Sequence, residues 1–499
     1  MMNYETVIIG GGPVGLMLAS ELALAGVKTC VLERLEQPMP YSKALTLHPR
    51  TLELFEMRGV LERFASRGKK TSSGHFSMLD TRLDFSSLDT SCPYTLLLPQ
   101  TETEQLLEER ARSLGAEVLR GAEALTVTQN EEGVQTIFKD REGSVRTLSS
   151  LFAVGADGAG SVVRKQAGIA FPGTDSTVTA ALGDVKLLSP PPSGVLSLCT
   201  KEGGVMIVPL SPDRYRVVLI SPYRTQTPKD APVTEEELKT DLIRMCGTDF
   251  GLNEPTWMSR FGNASRQAKQ YRSGRLFLAG DAAHIHFPAG GQGLNVGLQD
   301  AMNLGWKLAA AVGGSAPSWL LDSYHAERHP VAEDLLRNTE AQTRLMDFTK
   351  AGLHLRSMVS DMLAFPDVNR FVAGQISAID VGYEADQNMP PHRLNGKRLP
   401  DVELRLPDGS MERLYNCLHN GAYVLLSLKQ GADNDHIPFN GLHTVCASLA
   451  EPREEWRDVH TVLVRPDGHA AWAVDAAGPD AAEVIQSGIR RWLPIASRV

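Results

Sequence analysis

Apolar and polar positions alternate with several different rhythms along this chain, and each rhythm predicts a different kind of element. An unbroken β-branched run, Thr6-Val7-Ile8-Ile9, predicts a buried strand. Apolar residues then recur at Leu16, Leu18, Leu22 and Leu24 with helical spacing until Gly26 stops the helix, and Val31-Leu32 resumes strand character. Strand, glycine turn, helix and strand within the first 35 residues predict a βαβ opening. A second helical stretch follows Arg50. A third begins at Thr101-Glu102-Thr103-Glu104, where Thr and Glu three apart predict a capping box ahead of Leu106 and Leu107.

From about Phe171 to Arg272 the pattern shortens to β-rich runs such as Val205-Met206-Ile207-Val208 and Tyr215 to Ile220, separated by turns like Pro190-Pro191-Pro192. This predicts an inserted antiparallel sheet, with one face for packing and the other to roof a cavity. Dinucleotide-domain character returns at Leu276-Phe277-Leu278-Ala279-Gly280-Asp281, followed by a helix expected over Gln299 to Val312 and stopped by Gly313-Gly314. One domain is therefore assembled from separated stretches. Beyond Arg328-His329-Pro330 a helical section runs toward Gly382, and Pro390-Pro391 with Pro400 marks a boundary. The last hundred residues, with strand-like Ala422 to Leu428 and Thr461 to Leu463, read as a small α/β appendage.

Composition narrows the function classes. At 499 residues and 42% hydrophobic content the chain should divide into two or three globular units. The net charge of -9 is spread among interspersed acids and bases, which argues against nucleic-acid binding. The six cysteines show neither CxxC nor metal-ligand spacing, so free thiols in a reducing compartment are expected and no metal is implied. Met1 to Glu5 lack a basic n-region, and the apolar run Leu304 to Val312 is interrupted by Lys307. The expectation is a cytoplasmic protein with no membrane partner.

Three glycine-bearing segments carry the chemistry. Gly10-Gly11-Gly12-Pro13-Val14-Gly15 matches GxGxxG between a predicted strand and helix, where the backbone can approach a pyrophosphate at a helix N-terminus. Glu33, ending the second strand, is placed to bind an adenosine ribose and to repel a 2′-phosphate, which points to FAD or NAD as the tightly held nucleotide. Gly280-Asp281 puts a carboxylate at a strand end, and Pro288-Ala289-Gly290-Gly291-Gln292-Gly293-Leu294-Asn295 leads into a helix. Together they suit a flavin, because amides can reach the ring edge and a helix dipole favours negative charge there. Between them, Gly155 to Arg164 contains Asp157-Gly158, where Asp157 is expected to cap a helix and Arg164 to pair with it or to meet a phosphate; an ordinary Asp-Gly turn is the competing reading.

On these segments, with Ser42-Lys43-Ala44, His48-Pro49-Arg50-Thr51, Pro99-Gln100, Gly247 to Gly251 and Leu463 to Gly468, the chain resembles the group A, single-component flavoprotein aromatic hydroxylases. Within that group it is similar to anhydrotetracycline hydroxylases, aklavinone-type hydroxylases and rifampicin monooxygenases. The resemblance implies an α/β fold: a Rossmann-type FAD-binding domain formed by 1–75, 100–171 and 273–345, and an inserted antiparallel-sheet substrate domain formed by 76–99 and 172–272. It also implies a helical connection over 346–395 and a thioredoxin-like domain over 396–499. The site residues it implies are Gly10, Gly12, Pro13, Val14 and Gly15 at the pyrophosphate, Glu33 and Arg34 at the adenosine, and Gln100 at the middle of the cofactor. Asp157 would support the nucleotide domain and Asp281 would bind the ribityl-pyrophosphate. Pro288, Gly291, Gln292, Gly293, Leu294 and Asn295 would hold the ring. Lys43 stands where many relatives carry arginine, and it lacks arginine's planar fork.

The implied reaction is hydroxylation of an aromatic, polyketide-like small molecule through a flavin C4a-hydroperoxide, with FAD as cofactor, NADPH or NADH as co-substrate and O2 as oxidant. His48 and His286 are candidate bases for a substrate phenol, with a structural histidine as the competing reading. Arg216, on a middle-domain strand, is a candidate to face the flavin, with a solvated or salt-bridged arginine as the competing reading. Baeyer-Villiger oxygenation, antibiotic inactivation and flavin-bound sequestration without turnover fit the same scaffold. A flavin-dependent halogenase does not fit, because none of the six tryptophans lies in a WxWxIP element. A monomer or a homodimer is expected, and Cys417 and Cys446 carry no redox motif.

Overall fold

The computed structural model describes residues 3–428, 441–475 and 481–493. Its centre is a six-stranded sheet in the order Arg272–Ser273, Leu276–Leu278, Phe152–Gly155, Thr6–Ile9, Thr29–Glu33, Glu117–Arg120. All neighbours are parallel except the outermost hairpin pair. Strands covered on both faces must be apolar throughout; Val7, Ile8, Cys30, Val31, Ala153, Val154, Phe277 and Leu278 are accordingly fully buried. Helices Pro13–Leu24 and Gln292–Val312 pack against each other beside this sheet, so the early glycine turn and the late glycine loop converge from distant parts of the sequence.

A three-stranded meander, Glu123–Gln129, Val134–Lys139 and Val145–Ser150, flanks this core. The inserted region forms a five-stranded antiparallel sheet ordered Leu196–Thr200, Gly203–Ser211, Arg214–Ile220, Thr179–Leu187, Leu252–Gly262. Helix Glu235–Cys246 covers one face through Leu238, Leu242 and Met245, against Val185, Val205, Val217 and Leu219. The other face turns Ala180, Ile220 and Met206 toward Phe287 and Met78. Three helices follow, Ser323–Arg344, Lys350–Leu363 and Pro366–Ser377. The last unit has a four-stranded sheet ordered Leu442–Cys446, Tyr423–Ser427, Val459–Val464, Ala470–Asp475, with helix Ala481–Trp492 beside it.

Two sequence expectations are corrected. The capping box at Thr101 does not form: the helix spans Gln100–Ser113, its N-cap is Pro99, and the Thr101 N–H donates instead to Ser42 Oγ at 3.2 Å. Proline pre-sets the entry angle, so the threonine falls inside the first turn. The late helix starts at Gln292 rather than Gln299, because Gly291 at φ 65° makes the left-handed break and the residues after it are already helical.

Lys307, which interrupts the apolar run in the sequence, is fully buried and paired. Its Nζ lies 2.8 Å from Glu327, which also takes both ends of the Arg465 guanidinium at 2.9 and 2.8 Å. Arg465 bridges onward to Asp467 at 2.6 Å, and Asp467 accepts from Trp306 Nε1 at 3.3 Å. Burial opposes ionisation of Glu327, yet Arg465 and Lys307 pull its carboxyl down to about 2; burial pushes the Lys307 ammonium down to about 8 against the pull of Glu327. The turn 465–469 of the last unit is thus wedged between the two long helices. Among the described residues no helix is long and apolar enough to cross a membrane.

Removing one partner of such a group strands the others in low dielectric. Arg465→Met should therefore cost about 3–5 kcal/mol, read as a lower urea midpoint for the C-terminal unit. An unchanged midpoint would show that the hub does not hold the unit in place.

Candidate flavin site and cavity

The first turn works by crowding. Gly10 takes φ 108°, and a Cβ there would enter the Ala156 carbonyl; a Cβ at Gly15 would enter the Gly10 carbonyl. Only glycine lets the strand end and the helix start approach this closely. Gly12 differs, since a Cβ there would meet nothing within 4 Å: it faces open space at the helix N-terminus. Pro13 opens a helix with no side-chain cap and no acid in its first turn, which leaves amide donors for a phosphate. Glu33 accepts from the Gly11 N–H at 2.7 Å and from the Leu35 N–H at 2.9 Å, so its carboxylate is fixed beside that turn.

Asp157 accepts from the Val162 and Val163 N–H groups at 2.7 and 3.3 Å, at the start of the short helix Val162–Gln166. Burial pushes its carboxyl up, and its Oδ1 has no hydrogen-bond partner among the described residues. Arg164 neither bonds Asp157 nor faces open space. It donates to the Ala282 carbonyl at 2.8 Å and the Ala159 carbonyl at 2.7 Å, and it stacks on Phe171 at 3.8 Å. It thereby holds the turn that carries exposed Asp281. Asp300, wholly buried, fixes the same turn from the other side. It accepts from the Gly280 N–H at 3.2 Å, lies 2.8 Å from His284 Nε2, and takes the Arg328 Nε–H at 2.7 Å. Burial opposes its ionisation, but Arg328 and His284 together draw its carboxyl below the usual range.

In the late loop, Gly290 and Gly291 sit at φ 68° and 65°. The helix after them also lacks a side-chain cap and a first-turn acid. Asn295 accepts from the His48 N–H at 2.7 Å and donates to the carbonyls of Thr46 at 3.0 Å and Gly291 at 2.8 Å. The ring of buried His48 spans Thr95 Oγ1 at 3.0 Å and the Gly290 carbonyl at 2.8 Å. Since a carbonyl only accepts, Nε2 carries the proton and Nδ1 takes the Thr95 hydroxyl. Burial pushes its pKa down to about 4 despite the Gly290 contact, so the ring is neutral at pH 7. Both nitrogens are occupied, which makes His48 a holder of the loop instead of a base free to meet substrate.

Arg216 is likewise committed. It is buried, paired with Asp184 at 2.8 and 2.9 Å, and donates to the carbonyls of Ser42 and of Lys43, the latter at 3.1 Å. Its guanidinium lies 5.1 Å from the Trp257 ring, on which Tyr41 stacks at 4.4 Å. These contacts pin the 41–43 loop to the middle sheet, with the Lys43 side chain exposed beside it. Gln100 Oε1 accepts from the Ala44 N–H at 3.1 Å. Arg34, Lys43, Asp281 and Pro288 are all exposed. The sequence singled out the glycine segments and Arg164, the latter with the wrong partners, but missed Asp300 and Arg328, whose role is visible only once distant turns meet.

A cavity of about 380 Å³ lies next to the loop. Val178 and Ile220 of the inserted region, Phe287, Met346 and Phe348 wall it, while Lys201, Tyr223 and Asp347 stand exposed at its mouth. His286, one residue before Phe287, points its Nδ1 at the Phe287 carbonyl at 2.6 Å.

Residues 3–339 match the FAD binding domain family, and residues 392–495 match the C-terminal domain of aromatic-ring hydroxylases. The chain is 80% identical, over all of both chains, to a Bacillus subtilis (strain 168) protein called an uncharacterized aromatic compound monooxygenase, YhjG. It is 43% identical to the 12-dehydrotetracycline 5-monooxygenase/anhydrotetracycline 6-monooxygenase of Streptomyces rimosus subsp. rimosus, over 98% of this chain and 99% of that one. The solved anhydrotetracycline hydroxylase of Streptomyces rimosus superposes with a TM-score of 0.89 at 42% identity, covering 99% of this chain and 100% of the other.

Two predictions follow from this geometry. Gly12 has an extended backbone that alanine also adopts and free space around it. Gly12→Ala should therefore leave the flavin-free melting temperature unchanged and weaken FAD binding by about tenfold or more, since one methyl displaces a phosphate contact worth about 1.4 kcal/mol. Retained affinity in a fluorescence titration would place the pyrophosphate elsewhere. Buried His48 and His469 both have pKa values lowered to about 4, chiefly by burial. Between pH 6.5 and 4 the unfolded chain binds protons that the folded chain refuses, so stability is full above 6.5 and falls as pH drops through this window. Melting temperatures at pH 7.5, 6, 5 and 4.5 should decline, and a flat series would contradict the neutral-ring assignment.

Proposed function

The chain belongs to the FAD-binding aromatic-ring hydroxylases and is an FAD-dependent monooxygenase; from that premise we propose that its substrate is a flat, multi-ring phenolic compound of the polyketide type. The observation that carries this reading is the cavity: it reaches Phe287, the residue immediately before the Pro288 to Asn295 loop, and its volume of about 380 Å³ falls within the range of small-molecule pockets. An apolar interior of Phe287, Phe348, Met346 and Ile220 with an open polar mouth suits a ring system whose substituents stay wet.

The residues present fit FAD. The Gly12 opening and the uncapped helix at Pro13 suit the pyrophosphate, Glu33 and Arg34 the adenosine, Gln100 and Lys43 the middle of the cofactor, and Asp281 the ribityl chain. Asp157 supports the nucleotide domain. The backbone from Pro288 to Asn295 would hold the ring. When bound, FAD supplies two-electron reduction by a nicotinamide and activation of O2 toward an electron-rich ring. The protein's own part is positional: His48 and Asn295 fix the loop, Arg164 and Asp300 fix the Asp281 turn, and the aromatic wall excludes water. The overall reaction inserts one oxygen atom into a C–H bond, while the other leaves as water with two electrons and a proton from NADPH or NADH and one proton from solvent. We read the C-terminal unit as thioredoxin-like in arrangement but without redox chemistry, since Cys417 and Cys446 are free thiols and burial raises the Cys417 thiol to about 11.

Purified protein reconstituted with FAD is expected to oxidise NADPH or NADH faster when given some member of a panel of tetracyclines, anthracyclines, rifamycins and simple phenols. A product heavier by one oxygen atom should accompany this. Saturable binding without accelerated oxidation would favour sequestration, and an ester or lactone product would favour Baeyer-Villiger chemistry.

A further inference from the structure

Packed against the cavity residues Ile220 and Phe287 is a turn held by side chains to which the functions above give no role. Ser77 and Met78, consecutive and buried, lie in the left-handed region at φ 49° and 53°. Residues with side chains keep that conformation only where their surroundings enforce it. Buried Arg356 donates to the carbonyls of Ser77 at 3.0 Å, Met78 at 2.8 Å and Leu345 at 2.6 Å. It thus clasps the strained turn to the segment that continues into Met346 and Phe348 of the cavity wall. Gln342, fully buried, accepts the Ser77 N–H at 3.0 Å on its side chain and the Ser77 hydroxyl at 2.7 Å on its backbone carbonyl. The Met78 methyl reaches the sheet, where a Cβ at Gly204 would stand 2.7 Å from it, and the residue packs in the cluster that includes Ile220 and Phe287.

Gln342 also reaches the opposite way. Its Nε2 donates to Asn338 Oδ1 at 2.7 Å, and the same oxygen accepts from Gln292 Nε2 at 3.3 Å. Gln292 belongs to the late glycine loop and also donates to the Ala289 carbonyl at 3.3 Å. A Cβ at Gly290 would lie 3.2 Å from Gln292 Nε2 and 3.5 Å from Gln342 Nε2, so no spare room separates loop and relay. The polarity is fixed at every link. Asn338 Oδ1 only accepts, so both glutamines turn their NH2 groups to it, which leaves Gln342 Oε1 for the Ser77 N–H.

We propose that Asn338, Gln342 and Arg356 are positioning residues that tie the Ser77–Met78 turn, packed against the cavity residues Ile220 and Phe287, to the glycine loop, so that flavin seated in the loop is felt at that lining. This rests on the reading of 288–295 as the flavin-holding segment. A shift of Gln292 as the loop closes changes what Asn338 accepts, Gln342 adjusts, and the strained turn moves with it. The depth to which a ring system can enter beside the loop is then set by the relay as well as by the apolar lining.

Hydrogen exchange of the peptide spanning Ser77 and Met78 tests this, with the full chain in flavin-free and FAD-reconstituted forms. FAD should slow exchange there in the wild type. Asn338→Ala and Gln342→Met should reduce that effect roughly 2- to 30-fold while still binding FAD, and Asn338→Asp, which keeps the acceptor oxygen, should restore it. Asn338 is half-exposed in a helix, where alanine is favourable, so that variant carries the test even if Gln342→Met fails to fold. Wild type that binds FAD with no change at Ser77, or Asn338→Ala with full protection, overturns the relay alone. Wild type that cannot be loaded with FAD overturns the flavin reading and this inference with it.

Discussion

A single buried carboxylate, Asp300, sets the geometry on which the site depends. It sits inside the long helix Gln292–Val312 with no access to water, and such a charge persists only when its lone pairs are met. Arg328 neutralises it, His284 and the Gly280 N–H complete it, and the turn carrying Asp281 is thereby locked to the helix that begins at the glycine loop. Two segments expected to touch different parts of one cofactor are therefore held by one ionic contact instead of by the sheet alone.

Around this contact the chain uses polar side chains mainly to hold backbone. His48, Asn295, Arg164, Arg216 and Arg356 each direct hydrogen bonds to main-chain groups of loops. Loops cannot satisfy their own carbonyls as helices do, and buried ones must find donors elsewhere. The arrangement holds loop backbone in place with side chains from elsewhere in the fold, as suits an enzyme whose reactive group is borrowed.

Much of this was legible in the sequence. The βαβ opening, the inserted antiparallel sheet, the return at Leu276 and the helical section after Arg328 follow from local periodicity, which reports burial directly. The glycine segments stood out because the backbone needs them at fixed spacings. What sequence could not provide was pairing across long separations: His48 with Gly290, Arg216 with Asp184 and the 42–43 loop, Arg356 with Ser77. Such contacts leave no periodic trace, so the sequence left His48 and Arg216 open between a reactive and a structural role, and the structure shows both engaged. Local rules also failed where a neighbouring residue overrode them, as Pro99 does to Thr101 and Gly291 to the helix start.

The wedge formed by 465–469 bears on how the polypeptide can be divided. Glu327 and Lys307 belong to the FAD-binding region, yet the guanidinium that pairs with both oxygens of Glu327 arrives from beyond the Pro390-Pro391 boundary. Cutting the chain at that boundary would not free a minimal flavoprotein; it would open an ionic cleft between its two longest helices to bulk solvent. The appendage is in this sense a keystone, and shuffling it between related proteins would require matching its Arg465 and Asp467 to a recipient that carries the Glu327 carboxylate.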